Sequence, residues 1–262
     1  MKLKLILISI LVSHNLFAQN IYSALHLNRQ VEARGNKAIK EISETNTFYN
    51  ATSTEIKRNK KTINAYFLVA AEERFDGNGK LEAKLTRQFD PTGTKITSTK
   101  FERWLRGTYT VEISSYSYNE KGHLTEIIKQ DADGKTLFYA KILNNDNGHP
   151  IQLESFDGNG NSYGIEVAEY DYAKNEALTK VLDRNGKQLS TNTITIDFKK
   201  MVEFPRNGDE FNELGDLMSS EKYSYKRKYD NYGNWTLTTI YKKVDGKLKK
   251  NRRFKRKITY SP

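Results

Sequence analysis

Nine copies of one short pattern are spaced as turns along the chain: Asp or Asn, two variable residues, then Gly. It stands at Asp76-Gly77-Asn78-Gly79, Asp90-Pro91-Thr92-Gly93, Asn119-Glu120-Lys121-Gly122, Asp131-Ala132-Asp133-Gly134 and Asn145-Asp146-Asn147-Gly148. It returns at Asp157-Gly158-Asn159-Gly160, Asp183-Arg184-Asn185-Gly186, Asn212-Glu213-Leu214-Gly215 and Asp230-Asn231-Tyr232-Gly233. With 16 Gly in 262 residues, composition alone accounts for about two matches, so the pattern is a repeat. Its chemistry is that of a type I turn, in which Asp or Asn accepts backbone hydrogen bonds at the first position and Gly is favoured at the fourth. A left-handed Gly lets such a turn close a hairpin through a bulge. Gly122, Gly134, Gly148 and Gly160 lie 12, 14 and 12 residues apart. That leaves about eight residues per strand, the spacing of an antiparallel meander.

The flanks agree. An aromatic residue directly precedes six of the turns: Phe75, Phe89, Tyr118, Phe156, Phe211 and Tyr229. Alternation typical of strands runs through Tyr109 to Ile113, Tyr116 to Tyr118, Tyr170 to Tyr172, Thr191 to Phe198 and Tyr223 to Tyr225. Ala173-Lys174-Asn175-Glu176 sits where a turn is due but lacks the Gly, a decayed repeat, and Asp245-Gly246 reads as a hairpin turn. Phe204-Pro205-Arg206-Asn207-Gly208 reads as a loop, and residues 20–34 as the site of a short helix.

The chain opens with Lys2 and Lys4, an apolar run from Leu5 to Val12, and Ala18 before Gln19. This predicts a signal peptide over residues 1–18 and an exported mature chain over 19–262, in the periplasm or outside the cell. The apolar run is shorter than the about 20 residues a membrane-spanning helix needs. Cysteine is absent, which excludes disulfides, thiolate catalysis and cysteine-ligated zinc. Sixteen Tyr, twelve Phe and two Trp suffice for a core in an otherwise polar chain. The mature net charge of +9 is uneven, because residues 222–262 carry 14 Lys and Arg against Asp230 and Asp245 alone.

The run Tyr229-Asp230-Asn231-Tyr232-Gly233-Asn234-Trp235-Thr236, with the pattern it epitomises, resembles the YD repeat of bacterial Rhs-type proteins. It is similar in particular to small exported proteins that carry a few such repeats and no toxin domain. The resemblance spans roughly residues 37–260 and is specific only at 229–236. It implies an all-β fold, an elongated antiparallel sheet of β-hairpin repeats that is either open or rolled. In large members of the family the sheet forms a shell around a toxin, and 262 residues are too few to enclose one.

Candidate chemistry is sparse. Alternate oxygens at Asp76, Asn78, Asp131, Asp133, Asp157 and Asn159 have the spacing of calcium loops, but a type I turn already explains them. No cofactor or metal site and no catalytic residue is assigned. His123 and His149 follow repeat glycines and are expected to face solvent. Glu72-Glu73 and Asp209-Glu210 are sequence neighbours, which places them on opposite faces of a strand. Most of the tyrosines are expected to pack neighbouring hairpins together; Trp104, Tyr232 and Trp235 are candidates for stacking on sugar rings, with Trp104 and Tyr232 the exposed ones.

The stronger lead is Lys249, Lys250, Arg252, Arg253, Lys255, Arg256 and Lys257. On a strand, Phe254, Arg256, Ile258 and Tyr260 share one face, and Lys255 and Lys257 the other. Such a strand either protects a sheet edge from aggregation or meets an anionic surface. The sequence therefore reads as a monomeric, exported, non-enzymatic module that binds a glycan or an anionic envelope polymer. Strand addition to a protein partner is the alternative, an unrecognised hydrolase comes third, and nucleic acid is disfavoured.

Overall fold

The computed structural model describes residues 20–31, 33–34, 37–198, 202–203 and 208–262. The predicted signal peptide and most of the 204–208 loop fall outside them. The described chain is one short helix followed by eighteen strands, all paired antiparallel. Helix α1 is Ile21–Leu25. The strands are β1 (Ile39–Tyr49), β2 (Thr54–Ile63), β3 (Val69–Phe75), β4 (Leu81–Phe89), β5 (Ile96–Leu105), β6 (Thr108–Tyr118), β7 (Leu124–Gln130), β8 (Thr136–Asn144) and β9 (Pro150–Asp157). They continue as β10 (Ser162–Asp171), β11 (Glu176–Leu182), β12 (Gln188–Asp197), β13 (Val202–Glu203), β14 (Glu210–Phe211), β15 (Leu217–Ser219), β16 (Tyr223–Tyr229), β17 (Trp235–Val244) and β18 (Lys247–Tyr260). No helix among the described residues is long and apolar enough to cross a membrane.

All nine repeat turns form as their sequence predicts. In each, the Gly N–H donates to the carbonyl of the opening Asp or Asn at 2.8–3.2 Å. The nine glycines have φ between 75° and 89°. The opening side chain holds the loop, as where Asp76 Oδ1 accepts the N–H groups of Asn78 and Lys80, each at 2.9 Å. A register shift marks the strand pair at these turns, for example between Arg74 and Phe75 and between Ser117 and Tyr118. The decayed repeat still turns, with Asn175 in the left-handed conformation (φ 57°), but it pairs Asp171 directly with Glu176 and lacks the register shift of the nine repeat turns. Asp245-Gly246 closes a tight hairpin with both residues at positive φ, and Arg106-Gly107 does the same at a site where the sequence carries no Asn or Asp signal.

The strands pair in sequence order with one exception that joins the chain ends. β1 lies between β2 and β18, with Ile42 opposite both Lys61 and Ile258. The last strand is therefore flanked on both sides over Arg252 to Lys255 and pairs with β1 alone from Arg256 to Tyr260, which corrects the expectation of a free edge strand. The ladder instead ends in β13 and β14, two residues each, and is not closed into a barrel.

One face of the sheet is covered by residues 20–34. Asn20 caps α1 by accepting the Ser23 N–H at 2.7 Å. Ile21 and Ala24 bury against Leu124, Ile127, Ala140, Ile142, Leu153 and Ala168. The segment then crosses the sheet: Asn28 Oδ1 accepts the Ile96 N–H at 2.9 Å, the Val31 N–H donates to Phe67 O at 2.7 Å, and the Arg34 N–H donates to Asn234 Oδ1 at 2.6 Å. A second apolar cluster, Ile39, Ile42 and Ile63 with Val31 and Ala33, lies where it arrives.

Two predictions follow from the turns. Gly134→Ala, in open space at φ +81°, should cost about 1–2 kcal/mol through its left-handed backbone alone. Gly164→Ala should cost more, because its added Cβ collides with the Leu182 carbonyl; urea unfolding of the two variants measures the difference. Hydrogen bonds hold the carboxyls of Asp76, Asp90 and Asp157 below the usual range, led respectively by the Lys80 N–H, the Thr92 hydroxyl and the Asn161 side chain. Groups depressed in the folded state stabilise it above the unfolded carboxylate range and lose that contribution as pH falls through the folded value. Changing all three to Asn, which keeps the acceptor, should flatten the acid limb of stability against pH, measured by urea unfolding from neutral to strongly acid solution.

Candidate functional site

The face opposite the strap, the open face, is built by register. Across four adjoining strands, Lys226 stands beside Thr239, then Arg253, then Thr47; one row along, Lys228 stands beside Leu237, Lys255 and Thr45; Lys257 stands opposite Ser43. Long cations thus alternate with shorter uncharged side chains, hydroxyl-bearing at Ser43, Thr45, Thr47 and Thr239 and aliphatic at Leu237. Lys226, Lys228, Arg253, Lys255 and Lys257 are exposed. Lys228, Arg253, Lys255 and Lys257 make no ion pair among the described residues.

The contrast lies on the same face a few strands away. Lys60 and Lys84 both stand opposite Glu73, and Lys84 also stands opposite Glu102. Lys60 pairs with Glu41 at 2.9 Å, Lys84 with Glu73 at 3.6 Å and Lys100 with Glu102 at 3.1 Å. On this face cations are neutralised across β2 to β5 and left without acids across β16 to β18.

An open groove of about 670 Å³ runs over the basic strands. Ser43, Thr45 and Thr236 line it between Lys255 and Lys257, and the turn Asp230-Asn231-Tyr232 closes one end. Asp230 is the acid there, and it is occupied: it accepts the N–H groups of Tyr232 and Asn234 and the hydroxyl of Tyr260. Burial and that hydrogen bond push the Tyr260 hydroxyl up to about 12, so it remains a donor. Tyr232 is 45% exposed beside the groove, with its ring 4.6 Å from that of Tyr260.

The structure divides the predicted residues. Lys255, Lys257 and Tyr232 meet in the groove, and Arg253 extends their row. Arg256 also lines the groove, but its charge is spent: its Nε donates to Glu44 at 2.6 Å, and Glu44 also accepts from Asn59 at 3.1 Å and pairs with Lys61 at 3.5 Å. The Arg256 guanidinium lies 3.4 Å from the ring centre of Trp235, which occupies that indole as a packing surface. Arg252 lies over Phe48 and Lys250 over Tyr49, 5.7 and 4.5 Å from the ring centres. Lys249 faces Lys242 directly on the part of the β17–β18 hairpin that projects beyond β1, roughly 26 Å from Lys257 at about 3.3 Å per residue. Trp104 is half-buried against Tyr109, five strands from β18, so it is neither exposed nor part of this site.

The other tyrosines hold hairpins together. Tyr118 donates to Ile96 O at 2.8 Å, Tyr170 to Pro150 O at 2.7 Å and Tyr229 to Asp216 Oδ2 at 2.8 Å. His149, expected in solvent, is half-buried among Tyr170, Tyr172 and Phe198, and burial lowers its pKa. His123 is half-buried too, with its ring against Gly148 of the next turn. Among the described residues no group of three His, Asp or Glu is placed to hold a metal ion.

No protein-family model and no curated protein matches the chain. Similar solved structures include a porin-like protein from Bacteroides uniformis, at TM-score 0.38 and 14% identity over 84% of this chain and 96% of that one. A porin-like protein from Bacteroides vulgatus gives TM-score 0.31 and 9% identity over 87% and 100%. TcdB2-TccC3 gives 0.29 and 13% over 80% of this chain, which spans only 15% of that one.

The split between Arg256 and its neighbours is testable. Arg256→Gln, which breaks a buried pair, should cost about 3 kcal/mol. Lys255→Gln and Lys257→Gln should stay within about 0.5 kcal/mol of the parent in thermal or urea unfolding.

Proposed function

We propose that this chain is an exported, non-enzymatic β-repeat protein that binds an acidic glycan or another anionic polymer of the bacterial envelope. The open face of β16–β18 and β1 is its contact surface. The observation that carries the reading is the row of cations without acids over a hydroxyl floor, on a sheet that elsewhere pairs its lysines with glutamates. Arg253, Lys255 and Lys257 recur at every second position, roughly 6.6 Å apart on an extended strand. Exposed single ion pairs are worth about 0.2–1 kcal/mol each. A polymer with repeated charges engages several at once, and Ser and Thr hydroxyls between them suit sugar hydroxyls and acidic oxygens alike.

The test is retention of the mature protein on immobilised polygalacturonate and on neutral dextran, at low and high salt. Retention on polygalacturonate that high salt abolishes is expected. It should weaken about tenfold or more when Lys228, Arg253, Lys255 and Lys257 are all changed to Gln. Retention that survives salt, or that persists in the Gln variant, would remove the basic face from the function.

One observation favours a second reading, strand addition. β12 is exposed from Gln188 to Thr193, and Gln188 to Ile196 holds no charge and no Pro, the devices that normally blunt a strand against new partners. Binding of a protein through that strand would survive both high salt and the four Gln substitutions.

A further inference from the structure

The covered face holds a second site that the groove does not touch. Between β3 and β7 lies a cavity of about 220 Å³ lined by the charged residues Glu72, Arg74, Arg87, Glu112 and Lys129. Its other walls include Leu85, Phe101 and Tyr116, and Leu27 of the strap lies over it.

The charges in it do not cancel. Arg74 holds Glu72 with a two-pronged contact, Nε to Oε1 and Nη2 to Oε2, both at 3.1 Å. Lys129 pairs with Glu112 at 3.2 Å. Arg87 remains over. Its Nη1 donates to the Val69 carbonyl at 3.2 Å, and its Nε is withdrawn from solvent with no acceptor among the described residues. Desolvation pulls its pKa down, yet a guanidinium keeps its charge at neutral pH. The cavity therefore holds one cation without a counter-ion, next to an aromatic and aliphatic wall.

We propose that this cavity binds a small organic carboxylate with a flat apolar body. The carboxylate sits on the Arg87 guanidinium, whose planar fork matches two oxygens side by side. The body lies against Phe101, Leu85 and Leu27. A volume of 220 Å³ suits a ligand of that kind; at about 30 Å³ per water it would otherwise hold roughly seven waters, several of them against apolar walls that offer no hydrogen bond.

Benzoate is the probe, titrated calorimetrically into the full mature chain. Arg227 supplies the control. It repeats the anchor of Arg87, with Nη1 donating to the Leu217 carbonyl and an Nε without an acceptor among the described residues, but its guanidinium lies 5.4 Å from the ring centre of Tyr225. Saturable one-to-one binding is expected in the parent and in Arg227→Gln, with a loss of tenfold or more in Arg87→Gln. Benzoate should raise the melting temperature only in the two proteins that bind it. The proposal is overturned by no saturable binding to the parent, by equal loss in both variants, or by binding that Arg87→Gln leaves intact. Phosphate competing as well as benzoate would overturn the flat apolar body. Should Arg87→Gln fail to fold, Arg87→Lys keeps the charge without the fork, and unchanged benzoate binding in it overturns the assignment.

Discussion

A sheet one layer thick has no second sheet to bury against, and the strap of residues 20–34 meets that constraint. Its ends are tied far apart: the Ile21 N–H donates to Glu166 on β10 at 2.7 Å, and the Arg34 N–H donates to Asn234 at the start of β17. Eleven strand spacings separate those anchors by the observed pairings, roughly 53 Å at about 4.8 Å each if the sheet were flat. Residues 21 to 34 reach about 45 Å when fully extended, and five of them are helical. The sheet must therefore curve around its strap. Curvature and cover are one event, which is why a five-residue helix too short to persist alone sits against the largest buried cluster of the molecule.

Curvature also separates the two faces electrostatically. On the covered face, acids are buried only with partners: Glu44 with Arg256, Asn59 and Lys61, Glu72 with Arg74, and Glu166 with the Ile21 N–H. On the open face, β2 to β5 alternate Lys and Glu across strands, which favours the pairing. β16 and β18 break that rule: there Lys226, Lys228, Arg253 and Lys255 stand beside Thr239 and Leu237, with no acid opposite them. A row of cations with no opposite charge across the strands gains no stabilising pair, so this arrangement does not serve stability. Nor do Arg253 and Lys255 guard an edge, because β17 and β1 pair with them on both sides.

What was legible in the sequence follows from the range of each interaction. The nine turns were legible because every contact that defines them lies within five residues. The Arg106-Gly107 turn was not, since Arg carries no turn preference and its left-handed backbone is imposed by the strands it joins. The faces of β18 were readable from alternation, but its interior place was not. That place rests on pairing with β1, and Arg256 meets Glu44 across 212 positions of sequence. His149 illustrates the same limit, because the rings that enclose it come from Tyr170, Tyr172 and Phe198. The aromatic that precedes a turn is a repeat signal in sequence; that Tyr118 and Tyr229 use their hydroxyls to bond Ile96 O and Asp216, just past an earlier turn, needed the fold.

The strap also accounts for why a charged cavity coexists with an apolar core on one face. Fifteen residues cannot fill the whole concavity of a sheet this wide. Where Ile21 and Ala24 lie, the opposing side chains are Ile127, Ala140 and Leu153; where the strap passes with only Leu27, they are Glu72, Arg74, Arg87, Glu112 and Lys129. A concave surface left without apolar cover has to carry polar groups that satisfy one another. Two pairs in that cavity do so, and Arg87 does not. Its unmatched charge is thus the inner counterpart of the unmatched row on β16–β18. In both places the fold supplies partners for neighbouring cations and withholds them from a few, and those few are where an anion from outside the chain would lower the free energy most.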